Sequence, residues 1–562
     1  MKKILYSSFA IGGLVLLTGC NSKMNQFKAD YFSTNPNPLE VVGSTVPATV
    51  TGNIPAKFFK KNAVVTVTPV LMYGDQQTAA SSVTYQGEKV RGNNPVVNYN
   101  NGGTLTIPVN YVYTPEMQKS ELYLTFNVQQ GNKQYVLPQV KVADGIIATA
   151  ALADPATVNP ATANDKFQRI INEKYTADIR FLINQAIVRQ GELDSQGVKD
   201  LNAQLRAAAE APNQEIEEIN ISSYASPEGA YDFNQRLAEN REKNTTSYLE
   251  GQLKKDKITE FGELTKQFTA EDWEGFQQLV AASDIQDKDL ILSVLSNVKD
   301  PEVREQEIRN LANVFETLAD QILPQLRRSH ITASVNIIGK SDEEISRLAQ
   351  TNPSELSVEE LLYAATLTDD NNRKAQIYEQ VTKLYPNDFR GYNNLGKAQY
   401  VNKDYNSAIA NLNKAAQLAP NSSEVAMNQG LLQLINKDYS AANRSFSNAA
   451  GLEGLGDALG VYYLTQGDNA AAVKAFGSSK TNNAALAQLL TKDYAAAKNT
   501  LGAIANPDAT TYYLNAVLGA RTNNASMVTS NLSKAIQLDN SLATMALNDL
   551  EFANFNLSNV IK

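Results

Sequence analysis

The sequence is poor in the residues that most enzymes use for chemistry. Its 562 residues include one histidine, one cysteine and one tryptophan. A metal site made of several His and Cys ligands therefore cannot form, and a Ser-His-Asp site has only His330 to use. With one thiol there is no disulfide within the chain. Charge is sparse too: 19% of residues are charged and the net charge is −9. That balance argues against a nucleic-acid partner, whose phosphates need a basic surface. After the first twenty residues no run is long and apolar enough to span a bilayer, and no Gly-rich phosphate loop of the P-loop type is present. No metal or other cofactor is implied. Hydrophobic residues, at 43%, suffice for globular cores, and the length suggests about three or four domains.

The first twenty residues have an export pattern. Lys2 and Lys3 precede a mostly apolar stretch, Ile4 to Leu17, and then Leu17-Thr18-Gly19-Cys20. This run resembles a bacterial lipoprotein lipobox. The resemblance implies cleavage of residues 1–19, acylation of Cys20 and attachment to a membrane through lipid chains. The alternative is a plain secretory signal with an incidental cysteine. Residues 20–40 are polar with two prolines and read as a lipid tether.

Residues 41–145 have a β pattern. Thr104 to Tyr111 alternates polar and apolar residues, Ala63 to Leu71 is β-branched, and Leu122 to Val128 and Tyr135 to Leu137 flank a Gly131-Asn132 turn. Several short strands in about 100 residues suggest an immunoglobulin-like sandwich. Residues 146–165, rich in Ala, Thr and Pro, read as a linker. A mixed α/β segment follows over 166–340. Strands are expected at Ala177–Ile183, Ile216–Ile221 and Ser329–Ile338, helices at Ser195–Ala211 and from the Pro227/Gly229 turn to about Leu253, and a helical insertion at 256–325.

From 352 to 562 the chain is helical and repetitive. Lys-Asp-Tyr or Gly-Asp-Asn turns recur, with Asp404 and Asp438 34 residues apart. That period is the one of the tetratricopeptide repeat (TPR). The copy over 389–422 resembles the family at Tyr392, Leu395, Gly396, Ala408, Leu412, Ala415 and Pro420, and the next copy at Gly430, Ala442, Phe446 and Ala449. Small Gly396 and Ala408 let the two helices of a repeat touch, while Leu412 or Phe446 is expected to fill the gap to the neighbouring repeat. Shorter spacings downstream predict trimmed helices. The repeat tyrosines, Tyr400 among them, are candidates either for repeat core or for lining a peptide groove.

The stretch Ser223-Tyr224-Ala225-Ser226-Pro227-Glu228-Gly229, followed by Asn234 and Leu237-Ala238-Glu239-Asn240-Arg241, resembles the peptidoglycan-associating domain of the OmpA family. In that family a turn Asp and a helix Arg hold the ammonium and carboxylate of diaminopimelate. Arg241 stands at the Arg position, and Ser226 stands where the family has Asp; Glu228, two residues on, could substitute only if the turn let its side chain reach back, which a strand-helix turn rarely does. Arg241, Ser226 and Asn234 are thus candidate peptidoglycan contacts. The alternatives are an Arg241 paired with Glu239 or a nearby carboxylate, a Ser226 that only shapes the turn, and an Asn234 that braces it. Glu215, Glu217 and Glu218 form a carboxylate group, with Glu218 expected on the opposite strand face from the other two.

The expected architecture is therefore a β-sandwich, an OmpA-like α/β domain and an all-α TPR superhelix. The expected function is a non-catalytic lipoprotein of a Gram-negative outer membrane, facing the periplasm. It would scaffold protein partners through its repeats near the cell wall, or alternatively anchor to peptidoglycan. A wall hydrolase using paired carboxylates is the remaining enzyme class.

Overall fold

Alternation of buried and exposed residues builds the first region. A computed structural model describes residues 23–285, 288–310 and 312–561; Cys20 and the export signal expected over residues 1–19 lie outside them. Strands β1 (Phe32–Asn35), β3 (Thr45–Ile54) and β8 (Gly103–Val112) form one sheet. The second sheet runs β10 (Lys133–Asp144), β9 (Glu121–Gln130), β4 (Ala63–Tyr73), β6 (Val83–Gly87) and β7 (Val96–Val97), with β5 (Gln76–Ala79) paired to β4. Two short strands, β2 (Leu39–Glu40) and β11 (Ile146–Ile147), pair in parallel. Val46, Val50 and Ile107 of the first sheet share one core with Val65, Leu124 and Phe126 of the second.

The tether expected over 20–40 does not survive as a free segment. Met24 and Phe27 are buried, Phe27 stacks on Phe126 with ring centroids 4.2 Å apart, and β1 pairs with β3. The aromatic side chains at 27, 31 and 32 explain this: they complete the sandwich core and offset the entropy of ordering the segment.

Two compact units emerge. One joins Met1–Asn164 to Thr368–Lys562, and the other is Asp165–Leu367. The second unit is thus inserted between the sandwich and the repeats in sequence. Its four-stranded sheet has the order β12 (Ile170–Arg180), β15 (Arg328–Ile338), β13 (Gln214–Tyr224), β14 (Glu263–Thr269). Only the β13–β14 pair is parallel. Helices Gln196–Glu210 and Tyr231–Lys255 cover one face, where Ile179, Ile219, Ile331 and Val335 meet Leu201, Leu205 and Leu249. The helical insertion expected over 256–325 therefore needs correction, because β14 is an integral edge strand. Its Glu263-Leu264-Thr265-Lys266-Gln267 run is charged on an edge that needs only one hydrogen-bonded neighbour, so it lacks a hydrophobic signature. The helices after it, from Trp273 to Leu326, have a small core of their own around Phe276, Val280, Leu318 and Leu326.

The repeats begin later than 352. Residues up to Leu367 belong to the second unit, where Phe167 stacks on Tyr363 at 4.4 Å and Lys340 pairs with Glu360 at 3.0 Å. From Asn371–Leu384 onward, helices pair: Phe389–Val401 with Tyr405–Leu418, Ser423–Ile435 with Tyr439–Asn448, and Leu455–Gln466 with Asn469–Phe476. Asn482–Leu490 pairs with Tyr494–Gly502, and Ala509–Arg521 with Ala525–Leu538. The recurring turn has a clear mechanism. Asp404, Asp438, Asp468, Asp493 and Asn524 each cap the second helix, accepting a backbone N–H three residues on. The residue before each cap, Lys403, Lys437, Gly467, Lys492 or Asn523, has φ between 53° and 77°. The trimmed helices occur between Asn469 and Gly502, after which the last pair regains full length. One packing expectation is corrected. Leu412 and Phe446 lie against the glycine of their own repeat, where a Cβ on Gly396 or Gly430 would come within 2.8 and 2.4 Å of them.

Candidate functional site

Three asparagines on the first helices of different pairs hold a segment of the same chain that is irregular and extended apart from one 3-10 turn, Pro155–Thr157. Asn394 accepts from the Ala163 N–H and donates to the Ala163 carbonyl, both at 2.9 Å. Asn428 does the same for Ala161, at 2.7 and 2.8 Å. Asn483 does it for Asp154, at 3.0 Å in each direction, and also donates to Thr157 Oγ1 at 2.9 Å. A carboxamide carries one donor and one acceptor side by side, which matches the N–H and C=O of one extended residue. These contacts read backbone, so they depend weakly on the side chains of the bound segment. Asn393 links the set: it donates to Asn394 and accepts from Asn428, both at 3.0 Å. Tyr400 adds a 2.6 Å bond to the Pro155 carbonyl, and Lys397 donates to Thr162 Oγ1 at 2.7 Å. Burial lowers the Lys397 pKa.

The residues that are held come from the stretch read as a linker, and its composition explains the fit. Ala, Thr and Pro are small or pre-extended, so the backbone can approach the helices closely. Val158 enters the repeat core. At the upstream end Thr149 donates to Glu551 at 2.6 Å, and Glu551 pairs with Arg521 at 2.5 Å. Nearby, Tyr513 donates to Asp549 at 2.6 Å. Burial pushes the Asp549 carboxyl up to about 6 and raises the Tyr513 pKa.

In the second unit the strand-turn-helix around Ser226 is formed by the end of β13 and helix Tyr231–Lys255. Asn234 donates to the Ser226 and Gly229 carbonyls at 3.2 and 2.9 Å, closing the turn. Arg241 is fully buried. Its guanidinium donates to the carbonyls of Gln185, Tyr224 and Leu182 at 3.0, 2.8 and 3.3 Å and lies 5.1 Å from the Phe181 ring centre. Burial, then the charge of Arg327, lower its pKa to about 10, and Glu228 opposes them. It still carries its charge at neutral pH. Glu239, the considered partner, bonds Lys243 instead. Glu228 folds back so that Ser226 Oγ donates to it at 2.9 Å, which places a carboxylate beside that hydroxyl. That carboxylate is already engaged by Arg327, at 2.8 Å. The turn therefore holds a carboxylate with a guanidinium of the same chain upon it.

No known protein family matches this chain, and no curated protein does. Solved structures show similarity to helical repeats. A TPR protein from Parabacteroides merdae is 13% identical, with a TM-score of 0.30, over 38% of this chain and 91% of its own. PilF of Pseudomonas aeruginosa is 14% identical, with a TM-score of 0.29, over 38% and 99%. Yeast Tom70 is 12% identical, with a TM-score of 0.27, over 66% and 81%. Scores of this size carry no inference, and the repeat assignment rests on the chain's own helix pairs.

The other candidates fall into structural roles. Gly396, Ala408, Leu412, Ala415, Gly430, Ala442 and Phe446 are buried between helices, with Leu395 beside them. Tyr392 is half-buried, and Pro420 is exposed in the turn before the next helix. His330 Nδ1 lies 2.7 Å from Asp178 on the polar sheet face. Burial works to raise the Asp178 pKa, but the His330 bond and charge hold it below the usual value. The carboxylate group is corrected: a bulge between Ile216 and Glu218 puts both Glu217 and Glu218 outward, where they accept from Asn172 and Thr265. Among the described residues no group of three or more His, Cys, Asp or Glu is placed to hold a metal, and no helix is long and apolar enough to cross a membrane. The asparagine set escaped sequence reasoning. Its signal was present: Asn394 and Asn428 are 34 residues apart, each two positions before the repeat glycine.

Proposed function

We propose that this chain is a non-catalytic scaffold of a bacterial envelope, anchored through acylated Cys20, whose repeats hold extended protein segments by their backbones. The reciprocal asparagine–backbone pairs support this reading most directly. They form a ready-made receptor for an extended peptide, and in the resting chain residues 153–164 fill it. A partner segment binds there by competing with a ligand of high effective concentration. The test is a labelled peptide with the sequence of residues 150–165. A chain in which 153–164 is replaced by a Gly/Ser segment of equal length should bind it, and Asn394→Ala with Asn428→Ala should weaken that binding tenfold or more. The unaltered chain should bind it far more weakly. Equal binding by replaced and unaltered chains, or none by either, contradicts the reading.

A wall-anchoring role has one supporting feature, the Glu228 carboxylate beside Ser226. On that reading Glu228 and Arg327 are the contacts, because Arg241 is committed to three carbonyls. Retention on isolated sacculi that is lost in Glu228→Gln supports it, and absence of retention removes it. Placement in the outer membrane facing the periplasm goes beyond the anchor reading and is tested by separating inner from outer membranes and by protease access to intact cells, with Cys20→Ala as the unanchored control.

A further inference from the structure

The sandwich has two unlike poles. The β3 strand, ten residues and roughly 30 Å long, connects them. At its Thr45 end, Gly43 is packed so closely that a Cβ there would lie 2.6 Å from the Thr465 carbonyl, so this pole abuts the repeats. At its Ile54 end the loops gather basic residues. The β3–β4 loop carries Lys57, Lys60 and Lys61, the segment after β6 carries Lys89 and Arg91, and the β9–β10 turn ends in Lys133. The loops meet there: the Lys89 N–H donates to the Lys61 carbonyl, and Gln130 at the β9 end donates to Asn62. The N-terminal segment ends at the same pole. The Met24 N–H donates to the Tyr135 hydroxyl at 3.1 Å, and the Lys23 ammonium lies 5.6 Å from the Tyr135 ring centre. In these segments the only acidic residues are Asp30 and Glu88, and Glu88 is tied to Lys61 at 3.0 Å. A chain of net charge −9 thus keeps a cationic pole.

We infer that this pole docks on an anionic phospholipid surface. Cys20 is four residues before Met24, a span of at most about 14 Å, so an acylated Cys20 leaves the pole no room to stand away from the bilayer. A lipid chain and a basic patch are the two signals that together give durable membrane attachment. The orientation rests on the anchor reading above; the charge pattern does not. With the pole on the bilayer, the repeats of the same unit face away from it, about a strand length out.

The test uses the mature chain from residue 20 with Cys20→Ser, unlipidated, and vesicles of phosphatidylcholine with or without 30% phosphatidylglycerol. The expected result is co-sedimentation with the anionic vesicles only, weakened by salt, because each basic residue near such a surface contributes about fivefold. The variant Lys57→Glu/Lys89→Glu/Lys133→Glu, all exposed positions, should bind at least tenfold more weakly with an unchanged thermal melt. The variant Lys414→Glu/Lys480→Glu/Lys498→Glu, with the same charge change in the repeats, should bind as the parent does. No binding, binding indifferent to lipid charge, or equal loss in both variants overturns the inference. Failure of the anchor reading appears elsewhere: the wild-type chain would then be released from cell membranes by high salt, which leaves an acylated chain in place.

Discussion

Lys403, Lys437 and Lys492 adopt left-handed backbone with φ of 59–63°. A side chain there crowds the following carbonyl, a strain that glycine lacks. The Gly467 turn shows the same geometry without the strain. Lys403→Gly, Lys437→Gly and Lys492→Gly should therefore each stabilise the chain by about 0.5–1 kcal/mol, after the extra unfolded-state freedom of glycine is discounted. Chemical denaturation reads this directly, and a loss in all three contradicts the turn mechanism. Arg241 offers the opposite case. Arg241→Met removes a fully buried guanidinium that donates to three part-buried carbonyls and should cost about 1–3 kcal/mol. A substitution neutral for folding would mean that the guanidinium is not structural.

At the scale of elements, the strands of the sandwich and the capped helix pairs were legible in the sequence, and two kinds of segment were not. Ala63–Tyr73 and Gly103–Val112 show their alternation openly, because one face is buried and the other wet. The β14 strand does not, since its burial pattern is mostly exposed. Residues 153–164 have no periodicity, because their order comes from side chains hundreds of positions away. Likewise Ser226 and Arg241 were found by pattern, but the fold-back of Glu228 onto Ser226 and its pairing with Arg327 depend on three-dimensional proximity alone. The asparagine pairs give the element-scale prediction. Asn428→Ala leaves the Ala161 N–H without its partner and its carbonyl with only the 3.3 Å bond from Asn393, and should cost about 1–2 kcal/mol. It should also speed proteolysis within 153–164. Cleavage at the wild-type rate would show that the contact does not order the segment.

For the whole molecule, the first unit is assembled from the two ends of the chain, and its closure includes a titrating group. Asp549 is buried beside Tyr513, Glu551 and Arg521, with its pKa raised to about 6 from an ordinary 3.8. A carboxyl whose folded pKa is raised binds more protons when folded. Its contribution to stability is fully present below about pH 3.8 and is lost as pH rises through about 6. The loss is on the order of 3 kcal/mol at neutral pH. Asp549→Asn should remove it, so the variant's advantage over wild type should grow between pH 4 and pH 7 in denaturation experiments. A difference that stays flat with pH contradicts the assignment.

Hydrogen exchange at the backbone amides of Asp154, Ala161 and Ala163 bears most directly on the self-filled repeat face. Each of these N–H groups donates to an asparagine side chain. They should exchange orders of magnitude more slowly than an open linker, and Asn394→Ala with Asn428→Ala should release Ala161 and Ala163 while Asp154 stays protected. Exchange of all three at open-linker rates in the unaltered chain would mean that the repeats do not hold their own segment.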